Sequence, residues 1–531
     1  MKNYLLFFLV VFICNVIVAQ KNWHLKDTKE GFLGISLDKA YKLLEGRKSQ
    51  TVIVAVLDSG IDTAHIDLNP VLWRNPDEKI NGIDDDGNGY IDDIYGWNFL
   101  GNSKGENIDN EAYESTRIYS KLRKKYDSIK DKNLLSEEEK KEYDLYLKVK
   151  EEVTSNYQKN KLEYENIKAY YDKVVKSEMY LRNYFGTSEL NESEVRKLLR
   201  SENDSLRIAA GNYILNRKNN ISINDLEKEM NIIKKELLTY YNPDTNIRAL
   251  VGDDPYNIND SIYGNPDVKG PSPSHGTFVA GIIAAYRKND NDAFGIADNV
   301  KIMSLRIVPG ADERDKDIAL AIRYAVKKGA KIINMSFGKP YSPEKQFVDD
   351  AIRYATKQGV LLIHAAGNEG ENNDIYIRYP SIYDLNGNKI SELWLNVGAS
   401  TQNKGKNIPA YFSNYGKKTV DIFAPGVGIY STSPENRFSS SNGTSAAAPV
   451  VTGVAALLMS YFPELTPYEI KDIIMKSVTN IKNVKVIVPK KNNTDFSSQS
   501  YVKFKDLCVS GGIVNAEKAV KLAIKVSKKK K

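Results

Sequence analysis

Thr51-Val52-Ile53-Val54-Ala55-Val56-Leu57-Asp58-Ser59-Gly60 is a continuous apolar, largely β-branched run that stops at a carboxylate and a glycine. A run with no polar alternation is what a strand buried on both faces of a parallel sheet requires. Side chains that do chemistry collect at the carboxyl ends of such strands, and Asp58 falls there. Asp62, four residues on, suits the capping of the following turn. A second strand of this design, Gly359 to His364, ends in Ala365-Ala366-Gly367-Asn368-Glu369-Gly370. Its small residues admit a ligand, and the Asn368 amide can donate to a developing oxyanion.

Strands and helices alternate between these two points. Lys301 to Val308 and Ala330 to Phe337 read as strands, and Asp315 to Lys328 carries Ile318, Ala321, Ile322, Ala325 and Val326 at helical spacing. Pro343 to Gln358 reads as the helix that leads into the strand before Asn368. This βαβαβ order predicts an α/β fold, a doubly wound parallel sheet with helices on both faces and right-handed crossovers. Further on, Thr466-Pro467-Tyr468-Glu469 is a capping box with proline at the first helical position, opening a helix from Tyr468 to Val478. Asn515 to Val526 supplies the last helix, and Leu33 to Leu44 one short helix near the start.

Two further segments carry reactive groups. His275-Gly276-Thr277 opens a small-residue stretch through Ala285 whose spacing predicts a helix, and a helix N-terminus favours the neutral imidazole that a general base needs. Of the four histidines, His364 lies inside the apolar run of its strand, and His65 and His24 have no partner motif. Ser445 sits where Ser440-Ser441-Asn442-Gly443 gives way to Thr444-Ser445-Ala446-Ala447-Ala448-Pro449, a loop entering a buried helix. A serine at a helix start is, taken alone, most often an N-cap. As a nucleophile it needs a base to take its proton.

Asp58, His275, Asn368 and Ser445, in that order and with those flanking residues, resemble the subtilisin-like (subtilase) family of serine peptidases. The resemblance implies a subtilisin-like fold in which Asp58 orients His275, His275 is general base and then acid, and Ser445 is acylated. Asn368 and the Ser445 N–H would stabilise the oxyanion. It also implies a substrate cleft between Ser336-Phe337-Gly338 and Ala365-Ala366-Gly367, where an extended peptide can pair its backbone with a strand edge. The activity expected is that of a secreted endopeptidase acting on protein or peptide substrates. The competing reading is a catalytically silent peptide-binding protein on the same fold. Ala446 departs from the methionine usual in the family, which touches fine geometry and no reacting group.

Asp58 and His275 are 275 − 58 = 217 positions apart, far more than such a fold needs, so material has been inserted. The first part is an Asp-rich loop, Ile83 to Asp93. Oxygens of Asp84, Asp86 and Asn88, a turn at Gly89, the Tyr90 carbonyl and Asp92 reproduce the first nine positions of a calcium loop. The twelfth position is Tyr95 in place of Glu, so closure falls to Asp93 or elsewhere. The alternative is an Asp/Asn/Gly-rich turn with no ion. The second part, residues 104–250, turns to Lys, Glu, Asn and Tyr and reads as a helical subdomain. Ser136 to Glu139 caps a helix through Val153. Ile167, Tyr170, Tyr171, Val174 and Leu181 form a stripe, and another helix covers Ile223 to Tyr241. Its tyrosines read as packing positions.

Lys2, the apolar run Leu5 to Val18 and Ala19 predict a secretory signal peptide over residues 1–19, too short for a convincing membrane anchor. Lipoprotein anchoring at Cys14 is disfavoured by the bulky Phe12 and Ile13 before it. Cys508 then remains alone, which excludes an intrachain disulfide and a cysteine metal site. The expected layout is a short extension over 20–48, peptidase parts over 49–103 and 251–520 around the insertion, and a basic tail over 521–531. The net charge of +7 is dispersed, its one cluster being Lys528 to Lys531, so no nucleic-acid partner and no organic cofactor are inferred.

Overall fold

A computed structural model describes residues 21–287, 293–490 and 499–530; the expected signal peptide and Cys14 lie outside them. The chain divides into two compact units, one running through Asp109 and resuming at Ala249, the other Asn110–Arg248.

The first unit is built on strands β1 (Val52–Asp58), β2 (Gly96–Asn98), β3 (Val300–Arg306), β4 (Ile332–Met335), β5 (Leu361–Ala365), β6 (Trp394–Ser400) and β7 (Ile422–Pro425). A hairpin, β8 (Ile429–Ser433) with β9 (Arg437–Ser441), follows, then β10 (Thr479–Asn480), the pair β11 (Lys485–Ile487) and β12 (Tyr501–Lys503), and β13 (Gly512–Ile513). Nine of them form one sheet in the order β10-β13-β7-β6-β5-β4-β1-β3-β2. Its neighbours run parallel except β10 and β13. β1 sits between β3 and β4, where the strand order turns back, and the carboxyl ends there frame a crevice. The unbroken apolar run of β1 is explained by its two faces. Val54 and Val56 enter one core, while Ala55 and Leu57 enter the other.

Residues 21–48 pack into this body. Trp23, Ile35 and Leu37 are in the main core, Trp23 Nε1 donates to the Val427 carbonyl at 2.9 Å, and the Ile35 carbonyl accepts from Ala516 N–H at 2.8 Å. The short helix α1 (Leu37–Leu44) starts later than expected, after Ser36 in a left-handed conformation.

The second unit is helical: α2 (Glu114–Tyr126), α3 (Glu137–Phe185), α4 (Glu192–Lys197), α5 (Asp204–Lys218) and α6 (Ile223–Lys235), with a π-helical turn at Glu236–Tyr240. α3 does not end near Val153. From the capping box at Ser136 to the left-handed Gly186 it contains neither glycine nor proline, so nothing stops it for 49 residues. Its Tyr146, Val149 and Val153 are buried, as are Val174 and Leu181 farther along. Ile167, Tyr170 and Tyr171 of the expected stripe are not fully buried. Tyr126, Tyr143 and Tyr146 pack ring on ring at 5.4 to 5.7 Å.

Back in the first unit, α7 (Ser274–Ala284) and α10 (Thr444–Tyr461) cover one sheet face, and α8 (Asp315–Lys327) and α9 (Lys345–Lys357) the other. α11 (Pro467–Lys476) and α12 (Ala516–Ser527) follow. α10 is the one helix among the described residues long and apolar enough to cross a membrane, but it is buried in the core.

Candidate active site

Asp58 ends β1 fully buried. Its Oδ1 accepts the Ser59 N–H at 2.7 Å and lies 2.7 Å from His275 Nδ1. That approach depends on Gly276, because a Cβ there would stand 2.2 Å from the Gly60 carbonyl oxygen and 3.1 Å from Asp58 Cβ. His275 is the second residue of α7, with the outer part of its ring open to solvent. Burial lowers its pKa, but the Asp58 charge and hydrogen bond raise it more, leaving it above 6.5. The neutral ring expected from the helix N-terminus alone is thus not the direction found, and the Asp58 carboxylate is the cause.

Ser445 is the second residue of α10 and not its N-cap, a place held by Gly443. Pro449 lacks the N–H that would bond the Ser445 carbonyl one turn back. Ser336 Oγ takes the vacancy, donating to that carbonyl at 3.0 Å. Ser336 is itself held by Asn334 Nδ2 at 2.9 Å, and Asn334 Oδ1 accepts from Thr452 Oγ1 at 2.8 Å. The Ser336 side chain thus positions the nucleophile's backbone.

Asn368 follows β5 with its carbonyl oxygen fixed by Thr444, whose N–H and Oγ1–H donate at 2.9 and 3.1 Å. With Oδ1 so engaged, Nδ2 is the end left to donate to a substrate oxygen. The loop is drawn tight by Asn414, whose Nδ2 donates to the Ala366 carbonyl at 3.1 Å and whose Oδ1 accepts the N–H groups of Glu369 and Glu371. Gly367 adopts φ 110°, a conformation side-chain-bearing residues rarely take.

These groups open onto one cleft of about 360 Å³. Ser336, Phe337 and Gly338 form one wall and Ala365, Ala366 and Gly367 another, with His275, Asn368 and Ser445 between them. Asp58 stands behind His275. A larger cavity of about 550 Å³ shares only Arg378 with the cleft and contains none of the four reactive residues. Of the remaining histidines, His24 and His65 are buried elsewhere, and His364 is buried behind the cleft wall, its Nε2 3.6 Å from where a Gly338 Cβ would stand. Thr444, Asn414, Asn334, Thr452 and Arg378 escaped the sequence reading. Thr444 stands inside the motif around Ser445, but its role toward Asn368 is not legible there.

In the Asp-rich loop side-chain oxygens cap the backbone, a pattern common to a calcium loop and to a plain Asp/Asn/Gly turn. Asp84 accepts the N–H groups of Asn88 and Gly89, Asn88 Oδ1 accepts that of Tyr90, and Asp92 accepts those of Asn81 and Gly82. Tyr90 turns its ring onto Trp97 and Tyr324. Carboxylate oxygens of Glu78, Asp86 and Asp93 converge within 4.8 Å of one another. The Lys328 ammonium already pairs with Asp86 and lies 3.3 Å from Asp93. The donor set is all oxygen and suits a hard cation, which here would compete with Lys328.

The Subtilase family model matches residues 49–501. Subtilisin DY of Bacillus licheniformis is 36% identical over 211 residues, 39% of this chain and 71% of that protein. Alkaline elastase YaB of Bacillus sp. (strain YaB) is 34% identical over 261 residues, 49% of this chain and 58% of that one. The cell wall-associated protease of Bacillus subtilis (strain 168) is 37% identical over 208 residues, 39% of this chain but 21% of its own length. With the family model spanning most of the chain, on a parallel sheet whose switch point carries an acid, an imidazole, an amide and a hydroxyl, the chain belongs to the subtilase family and is a serine-type endopeptidase, a hydrolase.

Proposed function

We propose that the protein is an exported endopeptidase that cleaves peptide bonds through an Asp58–His275–Ser445 triad and an acyl-enzyme. His275 Nε2 takes the Ser445 proton as Oγ attacks the scissile carbonyl, and Asp58 steadies the imidazolium at Nδ1. Asn368 Nδ2 and the Ser445 N–H meet the oxyanion. His275 then returns the proton to the leaving amine, which departs with its peptide. Water, deprotonated by the same imidazole, releases the acyl group and restores Ser445. The observation that carries this reading is the 2.7 Å Asp58–His275 pair set on the cleft that also holds Ser445 and Asn368.

A fluorophosphonate probe should label the native protein at Ser445 and leave Ser445→Ala unlabelled. Failure to label native protein that is folded would favour a silent peptide-binding role. For export, the motive is the Leu5 to Val18 run before Ala19. Mature protein recovered outside the cytoplasm should begin at Gln20, and an intact Met1 on that material would remove the idea.

Calcium is the structural ion proposed for the Asp-rich loop. Glu78, Asp86 and Asp93 would hold it in place of Lys328, which pairs with two of the three, and the ion would brace the loop. It would take no part in the proton transfers.

A further inference from the structure

The cleft beside Ser445 has an unusual end. Its walls are nearly bare of side-chain bulk at Gly338, Ala366 and Gly367, yet Arg378 closes the space between them. The placement is fixed by backbone: Tyr379 N–H and carbonyl pair with Lys339 at 2.9 and 3.0 Å, holding Arg378 next to Gly338. Other than His275, Arg378 is the only cationic side chain lining the cleft among the described residues.

The guanidinium is mostly covered and incompletely satisfied. Nη2 donates to Glu371 Oε2 at 3.0 Å. Nε lies 3.4 Å from Glu369 Oε2, makes no hydrogen bond and is buried. Glu369 Oε2 is already engaged by Asn414 Nδ2 at 2.8 Å. Arginine offers five N–H donors in a planar fork that matches a carboxylate. Here the fork makes one protein hydrogen bond, to Glu371, and Nη1 has no protein acceptor among the described residues.

The direction of the substrate follows from the chemistry. His275 must reach the leaving nitrogen, so the leaving side of the peptide lies toward His275 and Ser59. With a substrate extended between the two walls, as the resemblance implies, the residue that supplies the attacked carbonyl turns its side chain toward the space between Gly338 and Gly367. The carboxylates of Asp312 and Glu313 also line the cleft, but from the segment after β3 that starts at the Asp58 carbonyl, where Val308 N–H is bound at 3.2 Å. Glu313 is tied to the Gly338 side, its carbonyl accepting from Lys339 Nζ at 2.8 Å, so its charge also bears on the choice of side chain there.

We propose that Arg378 makes the enzyme select an acidic side chain, glutamate above all, at the residue whose carbonyl Ser445 attacks. This rests on the peptidase reading given above. A glutamate carboxylate reaching the end of the space meets the unfilled donors of Arg378, whereas a lysine meets like charge. Glu371, and Glu369 which lines the cleft 3.4 Å from Nε, compete for the same guanidinium, so their charges moderate the preference.

The test is kcat/KM of the full-length enzyme on matched peptides with Glu, Gln or Lys at that residue. Cleavage of the Gln peptide by the native enzyme, absent in Ser445→Ala, establishes the reaction independently of the ratio. Glu should exceed Gln by about tenfold at low salt and exceed Lys by more, the gap narrowing as salt rises. Arg378→Met should bring the Glu:Gln ratio to one or below. Glu371→Gln, which keeps a hydrogen-bonding side chain beside Arg378 and removes the competing charge, should raise the ratio. A native preference for Lys over Gln, or a ratio that Glu371→Gln lowers or leaves unchanged, overturns the proposal.

Discussion

His364 should make the protein lose stability in acid by an amount that can be worked out in advance. The residue is buried in β5 directly behind the cleft, with its ring 5.2 Å from that of Trp394 and Nδ1 3.2 Å from Asn396 Oδ1. Asn396 spends its amide on the Thr419 carbonyl at 2.9 Å, so its oxygen is an acceptor and His364 Nδ1 carries a proton. Burial, more than that hydrogen bond can offset, lowers the pKa from 6.5 to about 4. The native state therefore keeps the ring neutral where the unfolded chain protonates it. The stabilisation is complete above pH 6.5 and is lost as pH falls from 6.5 toward 4.

Linkage gives a slope of about 1.4 kcal/mol per pH unit inside that window, and a loss of about 2 kcal/mol at pH 5 relative to pH 8. Urea unfolding should be followed at both pH values in a Ser445→Ala background, which prevents self-digestion, with and without His364→Leu. The leucine variant pays a constant cost for the lost Asn396 contact, so its deficit at pH 8 should shrink by about 2 kcal/mol at pH 5. His24, whose buried ring is lowered to about 3, acts equally in both proteins and cancels. A deficit that is the same at both pH values would show that His364 titrates normally and that the inference from burial is wrong.

Ser445→Ala and His275→Ala should abolish peptide hydrolysis, measured as initial rate, while Asn368→Ala should fold normally and lose about 10² to 10³ in turnover, a range taken from another member of the family. An unchanged rate would remove Asn368 from the oxyanion site. Because Asp58 lifts the His275 pKa and the base works only when neutral, activity should fall on the acid side through a pKa above 6.5. Asp58→Asn should move that limb to lower pH while costing about 10⁴ in rate, and an unmoved limb would separate it from His275. If Glu78, Asp86 and Asp93 hold calcium, a chelator should lower the melting temperature of the native protein but not of Asp86→Asn with Asp93→Asn. Replacing Asn110–Arg248 with a Gly/Ser linker should spare cleavage of a small peptide ester, and faster cleavage of a folded protein would show that the insertion restricts access.

What could be read in the sequence shares one property: it repeats or clusters within a few residues. The strand Val52 to Leu57, the spacing along Asp315 to Val326 and the capping box at Thr466 are local patterns, so each element is legible where it stands. The polar supports are not. Lys328 and Asp86 are 242 positions apart, and Ser336 meets the Ser445 carbonyl across 109. Nothing near Lys328 marks it as the partner of an acidic loop. The length of α3 was hidden for a different reason. Its tyrosines and lysines give a weak apolar rhythm beyond Val153, and the decisive fact is the absence of any breaker before Gly186. The boundary of the insertion moved because residues 104–109 are tied to the first unit, with Ile108 N–H on the Leu100 carbonyl and the Asp109 carbonyl taking Gly310 N–H, each at 2.8 Å.

The supports also explain why a proline belongs inside a helix that carries the nucleophile. A continuous α10 would bind the Ser445 carbonyl to the N–H of residue 449 and leave the serine answerable only to its own helix. Pro449 cancels that bond, and an unpaired buried carbonyl would cost about 1 to 3 kcal/mol. Ser336 removes the cost by donating to it, and Ser336 stands on the wall that receives the substrate. Through Asn334 and Thr452 the same chain of hydrogen bonds returns to α10 two turns on. On the other side, Thr444 binds Asn368, so the oxyanion donor and the nucleophile are held by adjacent residues of one helix start. Nucleophile, oxyanion donor and substrate wall are thus fixed to one another by side chains that do no chemistry. For the same reason Ser336→Ala should displace Ser445 and lower turnover more than substrate affinity, whereas a residue that only lined the wall would do the reverse.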